Sequence, residues 1–197
     1  AKINVGERKF FKEAFDLYEQ GMASEAFIEN GILDHRTFRN AISAAITIKK
    51  FAWVEEFIEA YQSYLPDEHR ESFVKLSLAQ LYYAQQKFDH AQRMLVQITA
   101  DDLLVNLNAK WMLIRIYYQE GEFQLLESLL DSMKTYINRK KVLGYHKNSY
   151  TNLIRFTRRL MRINPYDKSQ KEKLRGEVQS ANPLIAKNWF LQQLDQL

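Results

Sequence analysis

Three short segments of similar sequence recur along this chain at nearly constant spacing. Residues 50–54, 87–91 and 122–126 each carry a phenylalanine in second place, and these phenylalanines are 37 and 35 residues apart. The same two offsets relate residues in the preceding and following segments: Ala45, Tyr82 and Tyr117, then Ile58, Leu95 and Leu130. A fixed period of this length predicts a series of similar supersecondary units, each of which packs against its neighbours to bury an apolar face.

Few glycines and prolines interrupt the sequence, and this favours helices. The three prolines and six glycines are too few for the many turns of a β-sandwich or β-barrel. Apolar residues have helical spacing in nine windows: 10–22, 37–48, 51–64, 70–85, 88–98, 104–119, 123–137, 150–163 and 184–194. A highly charged segment, 168–179, is also predicted to be helical, with Leu174 and Val178 as its apolar edge.

Turn-forming residues separate these windows. Loops are predicted at 65–67, 99–102, 121, 138–144, 164–165 and 182–183. Asn182 is predicted to cap the last helix, with Pro183 at the first helical position, where a missing N–H costs nothing.

Equivalent positions of the three units follow a known pattern. They hold Phe38, Ala41, Ile42, Ala45, Val54, Ile58 and Pro66 in the first unit, Leu78, Ala79, Tyr82, Ala91 and Leu95 in the second, and Leu113, Ile114, Tyr117, Leu126 and Leu130 in the third. Residues 36–160 therefore resemble the tetratricopeptide repeat (TPR), a helix–turn–helix unit of about 34 residues. Ile42 and Ile114 depart from the family pattern at a small-residue position, and only Gly121 and Pro66 keep its glycine and its proline.

The resemblance implies an all-α fold, a right-handed α-α superhelix (a TPR-like solenoid) of antiparallel helix pairs in a single domain over residues 1–197. Helix pairs are expected at 36–65, 70–99, 104–137 and 145–163. The fourth is a looser repeat, expected because 153–156 repeats 113–116 at an offset of 40. A helical cap is expected at 166–197. The arrangement is also similar to uncharacterised bacterial TPR-like proteins, which implies no particular activity.

The N-terminal helix has a wide apolar face, formed by Phe10, Phe11, Ala14, Phe15, Leu17 and Tyr18, and this is unusual for the end of a solenoid. No Met precedes Ala1. We hypothesise that the chain is the C-terminal part of a longer protein, and Met removal before a natural Ala1 is the alternative. The intact mass of the native protein would distinguish the two.

Charge is distributed unevenly along the chain. Residues 1–133 carry 14 basic and 20 acidic side chains, whereas residues 134–197 carry 14 basic and 4 acidic ones. Such asymmetry indicates either an anionic partner or an internal electrostatic contact. No cysteine is present, so disulfides, thiolate zinc sites and cysteine nucleophiles are excluded.

The sequence contains no recognisable catalytic or cofactor motif. Its glycines never form a phosphate-binding loop, and its four histidines are not paired at helical spacing for a metal. We therefore expect a protein that is not an enzyme and has no cofactor. The longest weakly polar stretch, 41–48, is far short of the ~20 residues of a membrane-spanning helix, so we expect a cytoplasmic location and no membrane partner.

The TPR resemblance implies a concave binding face lined by the first helix of each pair. The residues carried over to that face are Arg36, Arg39, Ser43, Gln80, Tyr83, Trp111, Arg115, Tyr118, Gln119, Arg155 and Arg158. Arginine donates paired hydrogen bonds to carboxylates, and tyrosine adds stiff amphipathic contact, so the expected partner is a protein or peptide, and an acidic one suits this set. The equal alternative is that these side chains face only water.

The basic C-terminal third supports a second functional hypothesis. Its cations are Arg155, Arg158, Arg159, Arg162, Lys168, Lys171, Lys173 and Arg175, which together would contact nucleic acid or another polyanion. No nucleic-acid motif accompanies these charges, so a solvated helix face is the favoured interpretation. The sequence leaves the oligomeric state open.

Overall fold

The computed structural model describes residues 8–98, 103–139 and 144–197. The described residues form ten α-helices and one two-stranded hairpin, so the all-α prediction is confirmed. The helices are α1 Arg8–Ala23, α2 His35–Thr47, α3 Phe51–Tyr61, α4 Asp67–Ala84, α5 Phe88–Val96, α6 Leu103–Gln119, α7 Phe123–Arg139, α8 Gly144–Met161, α9 Lys168–Ser180 and α10 Lys187–Gln196. A 3-10 turn, Gln62–Tyr64, follows α3. The predicted loop at 99–102, and residues 140–143 of the loop predicted at 138–144, lie outside the described residues. The described residues of that second loop are helical, because α7 extends to Arg139 and α8 begins at Gly144.

The turns that precede α3, α5 and α7 have the same backbone geometry. Their central residues, Lys49, Gln86 and Gly121, adopt positive φ angles of 65°, 61° and 72°. The following N–H donates in each case to the carbonyl oxygen five residues earlier: Lys50 to Ala45 at 2.9 Å, Lys87 to Tyr82 at 2.8 Å, and Glu122 to Tyr117 at 2.8 Å. This is the Schellman pattern, which closes the C-terminus of a helix.

The three phenylalanines of the recurring segments each begin a helix directly after such a turn. Phe88 and Phe123 also contact the tyrosine five residues before them, with ring centroids 5.4 Å from Tyr83 and 6.1 Å from Tyr118. Phe51 has Ile46 at the corresponding place. The sequence period therefore coincides with a repeated local structure, while the superhelical arrangement stays a prediction.

The chain divides into two compact units, residues 1–116 and 117–197, with the division inside α6. In the first unit α2 packs against α1, α3 and α4, and α4 packs against α5. Phe38 is fully buried and its ring lies 5.3 Å from that of Phe57, which stacks on Trp53 at 4.6 Å. Small residues such as Ala41 and Ala45 are also fully buried, and they let the helices of this unit approach closely.

In the second unit α7 packs against α8, and α10 packs against both α8 and α9. The buried residues of α7 are Leu126, Leu130, Met133 and Ile137, which share one face at helical spacing. Leu174 and Val178 are the buried residues of α9, which confirms its predicted apolar edge. Their burial supplies the apolar contact that holds this charged helix on the unit.

Three local features differ from the sequence predictions. The fourth expected pair, 145–163, is one continuous helix, α8, which begins at Gly144, six residues before the predicted window. Residues 28–33 form a hairpin, in which Ile28 pairs with Leu33 across the positive-φ residues Asn30 and Gly31. The helix predicted to begin at 184 begins at Lys187, so Asn182 does not cap it. The Pro183 carbonyl accepts a hydrogen bond from the Asn152 side chain at 2.8 Å, and this contact ties the segment before α10 to α8 instead.

Candidate binding groove

Three helices of the first unit, α2, α4 and α6, line one groove of about 380 Å³, which we call the α2–α4–α6 groove. Its polar and aromatic lining residues are Arg39, Ser43, Thr47, Gln80, Tyr83, Asn108, Trp111 and Arg115. Its apolar surface comes from Ile46, Ala84 and Met112. These are the first helices of the three recurring units, so equivalent faces converge on one concave surface.

The orientation of each helix follows from its buried side. On α2, Phe38, Ala41 and Ala45 are buried, which turns Arg39 and Ser43 to another face. On α4, the fully or nearly fully buried Leu76 and Ala79 leave Gln80 and Tyr83 only partly covered. The N-terminus of α2 is closed by Asp34, whose carboxylate accepts from the backbone N–H of Arg36 and Thr37.

Arg115 is the central cation of the groove. Its guanidinium carbon lies 4.2 Å from the centroid of the Tyr83 ring and 5.7 Å from the Trp111 ring. Both are cation–π distances, so the two rings hold the planar guanidinium in place. Its Nε is buried and has no hydrogen-bond acceptor among the described residues. The guanidinium is therefore held by the two rings, and no internal acceptor in the described part of the chain engages its Nε.

The electrostatics of the groove favour an anion. Among the residues that the structure describes, those lining the groove include two arginines and no acidic side chain. Partly buried cations on low-dielectric walls raise the local concentration of anions. Tyr83 and Trp111 add apolar area beside the charge, so the groove can bind a carboxylate together with a neighbouring apolar group.

Several residues predicted for the concave face lie together in this groove: Arg39, Ser43, Gln80, Tyr83, Trp111 and Arg115. Arg36 is exposed one turn earlier on α2 and does not line it.

No protein-family model, curated protein or solved structure matches this chain. The resemblance to the TPR family therefore depends on the residues quoted above and on their spacing.

The remaining predicted residues belong to the second unit. The Tyr118 ring lies 5.4 Å from Trp189 and 6.1 Å from Phe123, so it packs among aromatic residues, and burial raises the pKa of its hydroxyl. Gln119 is exposed at the end of α6. Arg155 and Arg158 lie on α8.

Sequence reasoning missed five residues of the groove: Ile46, Thr47, Ala84, Asn108 and Met112. Helical spacing could have identified them. Thr47 follows Ser43 by four residues, Ala84 follows Gln80 by four, and Asn108 precedes Trp111 by three, so each pair shares one helix face. Ile46 and Met112 are apolar, and they were missed because the carried-over set was chosen for polar, aromatic and basic side chains.

Many cations of the basic C-terminal third have carboxylate partners inside the second unit. Arg158 donates to Glu127 at 2.8 Å and to Asp131 at 2.7 Å. Partial burial lowers the pKa of Arg158, but the hydrogen bonds and charges of the two carboxylates raise it by more, so the pKa is raised overall. Arg159 pairs with Glu177, and Arg175 pairs with Asp195 at 2.6 Å. The internal electrostatic contact that the charge asymmetry indicated is therefore present.

No group of three or more His, Cys, Asp or Glu side chains in the described part of the chain could hold a metal ion. Within the same residues, every helix is too short or too polar to cross a bilayer.

Proposed function

We propose that this chain is a protein-interaction scaffold of the helical-repeat kind, and that its α2–α4–α6 groove binds an acidic peptide segment. The groove has the features that such binding requires: a concave surface made by three helices, two arginines, two aromatic side chains and an apolar patch. This combination matches interface hot spots, which are enriched in Arg, Trp and Tyr.

The proposal depends on one observation, the environment of the Arg115 side chain. Its guanidinium is held over Tyr83, and its buried Nε lacks an acceptor among the described residues. A peptide carboxylate in the groove would accept from the guanidinium N–H groups that face it and neutralise a charge that no described carboxylate contacts. Charge-assisted hydrogen bonds of this kind contribute about 1.5–3 kcal/mol.

The test uses three pools of fluorescein-labelled peptides of about ten residues, rich in Glu, in Gln or in Lys, with binding followed by fluorescence anisotropy. We expect the Glu-rich pool to bind more tightly than the Gln-rich pool, and the Lys-rich pool not to bind. Arg115→Gln should weaken binding of the Glu-rich pool by roughly tenfold, which corresponds to about 1.4 kcal/mol.

Arg93→Gln is the matched control, because Arg93 is an exposed residue of α5 outside the groove and the substitution changes the charge equally. It should leave the affinity unchanged within about twofold, as expected for a distant surface charge. Equal weakening by Arg93→Gln and Arg115→Gln, or equal binding of the Glu-rich and Gln-rich pools, would contradict the proposal. Circular dichroism of both variants would verify that they are folded.

A further inference from the structure

A second concave site lies within the second unit, between α7 and α8, and we call it the α7–α8 cavity. Its volume is about 380 Å³, and four of its lining residues are cations: Lys134, Arg155, Arg158 and Arg159. Its apolar surface comes from the buried Ile137 and Ile154, and Asn138 and Thr151 complete the lining. In the part of the chain that the structure describes, no acidic residue lines this cavity.

The cations around the cavity outnumber their carboxylate partners. Arg158 is paired with Glu127 and Asp131, and Arg159 is paired with Glu177. Arg162 lies 3.7 Å from the already shared Glu127.

Lys134 and Arg155 have no carboxylate within ion-pair distance among the described residues, and the Arg155 guanidinium lies 4.5 Å from the Phe156 ring centroid. Two of the four cations that line the cavity, Lys134 and Arg155, are therefore surplus positive charges, because no ion pair among the described residues compensates them.

We infer that the α7–α8 cavity binds a small organic phosphate, a phosphate monoester whose apolar part contacts Ile137 and Ile154. A phosphate monoester carries a charge of about −1.5 to −2 near neutral pH, which matches the surplus of two. Lys134 and Arg155 contact the phosphate oxygens, while Arg158 and Arg159 are held in place by their carboxylates. Arginine forks and lysine ammonium groups are the usual protein ligands of phosphate.

The size of the cavity determines the kind of ligand. A volume of about 380 Å³ is near the lower end of the ~300–1,000 Å³ of small-molecule pockets. A nucleic-acid strand instead requires a positively charged groove that follows its backbone over several nucleotides. The carboxylates Glu127, Asp131 and Glu177 pair with Arg158 and Arg159 and so reduce the positive charge that such a strand could follow beyond the cavity.

Isothermal titration calorimetry of the full chain with phenyl phosphate tests this inference, with benzoate and phenol as comparison ligands. Phenyl phosphate should bind at least about tenfold more tightly than benzoate, because a dianion compensates both surplus charges and a carboxylate only one. Phenol should not bind. Equal affinity for benzoate and phenyl phosphate would overturn the phosphate assignment, and no measurable binding of phenyl phosphate would overturn the site.

The variant Lys134→Gln/Arg155→Gln should weaken phenyl phosphate binding by at least about tenfold, because it removes both uncompensated cations. Both side chains are exposed, so the variant should remain folded, which circular dichroism verifies. Lys168→Gln/Lys171→Gln removes the same charge from α9, outside the cavity, and should leave the affinity within about twofold. If this control weakens binding equally, general attraction to the basic third explains it and the cavity site is wrong. The α2–α4–α6 groove also offers an arginine beside aromatic rings to these ligands, so the same titrations are made on Arg115→Gln, which should leave the phenyl phosphate affinity within about twofold. With this variant the two proposals fail independently.

Discussion

Three residues at equivalent turn positions adopt positive φ, but only Gly121 is suited to this conformation. Lys49 and Gln86 adopt it at a cost, because an L-residue in the left-handed region places Cβ close to the following carbonyl oxygen. The Schellman hydrogen bonds and the helix that begins directly afterwards outweigh this cost. Replacing Gln86 by glycine and replacing Gly121 by alanine should therefore change stability in opposite directions, although the two turns have the same geometry.

We expect Gly121→Ala to lower the free energy of unfolding by about 1 kcal/mol, and Gln86→Gly to raise it by about 0.5–1 kcal/mol. A Cβ at Gly121 would meet nothing within 4 Å, so the loss reflects backbone conformation alone. Urea denaturation followed by circular dichroism measures both changes. Gln124→Ala, at an exposed position of α7, is the control and should change stability by less than about 0.5 kcal/mol. The same sign of change at Gly121 and Gln86 would contradict this account.

The connection between α3 and α4 depends on one side chain. Arg70 donates to the carbonyl oxygens of Gln62 at 3.0 Å, Ser63 at 2.8 Å and Leu65 at 2.8 Å. These carbonyls belong to the end of the first helix pair, where a helix leaves its last acceptors without partners. A single residue of α4 therefore closes the preceding pair and fixes the connection between the two helices.

Arg70→Met keeps most of the aliphatic stem but removes the donors, so we expect it to lower the free energy of unfolding by about 2 kcal/mol. The measurement is urea denaturation at neutral pH. Arg93→Met serves as the control, because Arg93 is exposed on α5, and its change should stay within about 0.5 kcal/mol. Equal losses in the two variants would show that the three carbonyl contacts contribute nothing measurable.

Across the whole chain, the excess of basic residues is confined to the C-terminal third, and internal carboxylates compensate part of it. Glu177 is the clearest case, because its pKa is lowered. The hydrogen bond from Arg159 lowers the pKa more than burial raises it, and the positive charges of Arg159, Lys173 and Arg155 lower it further. The net charge of this third therefore overstates the positive charge that a polyanion could contact. The two cations without carboxylate partners at the α7–α8 cavity are a more specific indication of where an anion binds.

A lowered carboxyl pKa predicts how the second unit responds to acid. Because Glu177 binds its proton less readily when folded, its stabilising contribution is fully present above the ordinary glutamate pKa of about 4.3 and is lost as pH falls through the lower folded value. The unfolding free energy measured from the Trp189 indole NMR signal should therefore fall with pH in this range. Glu177→Gln should be less stable than the unaltered chain at neutral pH, and the difference should shrink towards acid. A difference independent of pH would contradict this prediction.

Helix periodicity predicted the type of each helix and the approximate bounds of most, because the spacing of apolar residues and the turn residues between them are local properties. The exception is α8, which begins six residues before its predicted window. The hairpin was missed although its Asn30-Gly31 dipeptide is a strong local signal for a two-residue turn. The start of α10 could not be predicted in the same way. The residue before it, Ala186, adopts a positive φ of 59°, and the preceding segment accepts a hydrogen bond at Pro183 from Asn152, 31 positions away.

The all-α class, the recurrence of similar turns and helices, and the helix faces that carry Arg39, Gln80, Tyr83 and Arg115 could be inferred from the amino-acid sequence. These features follow from interactions between residues a few positions apart. Which of these faces share a groove, and which cations of the basic third have partners, became known from the folded structure, because the ion pairs of Arg158 and Arg159 span 18 to 31 residues. Contacts over such separations depend on how helices pack, and side-chain packing is not encoded in the period of any one helix.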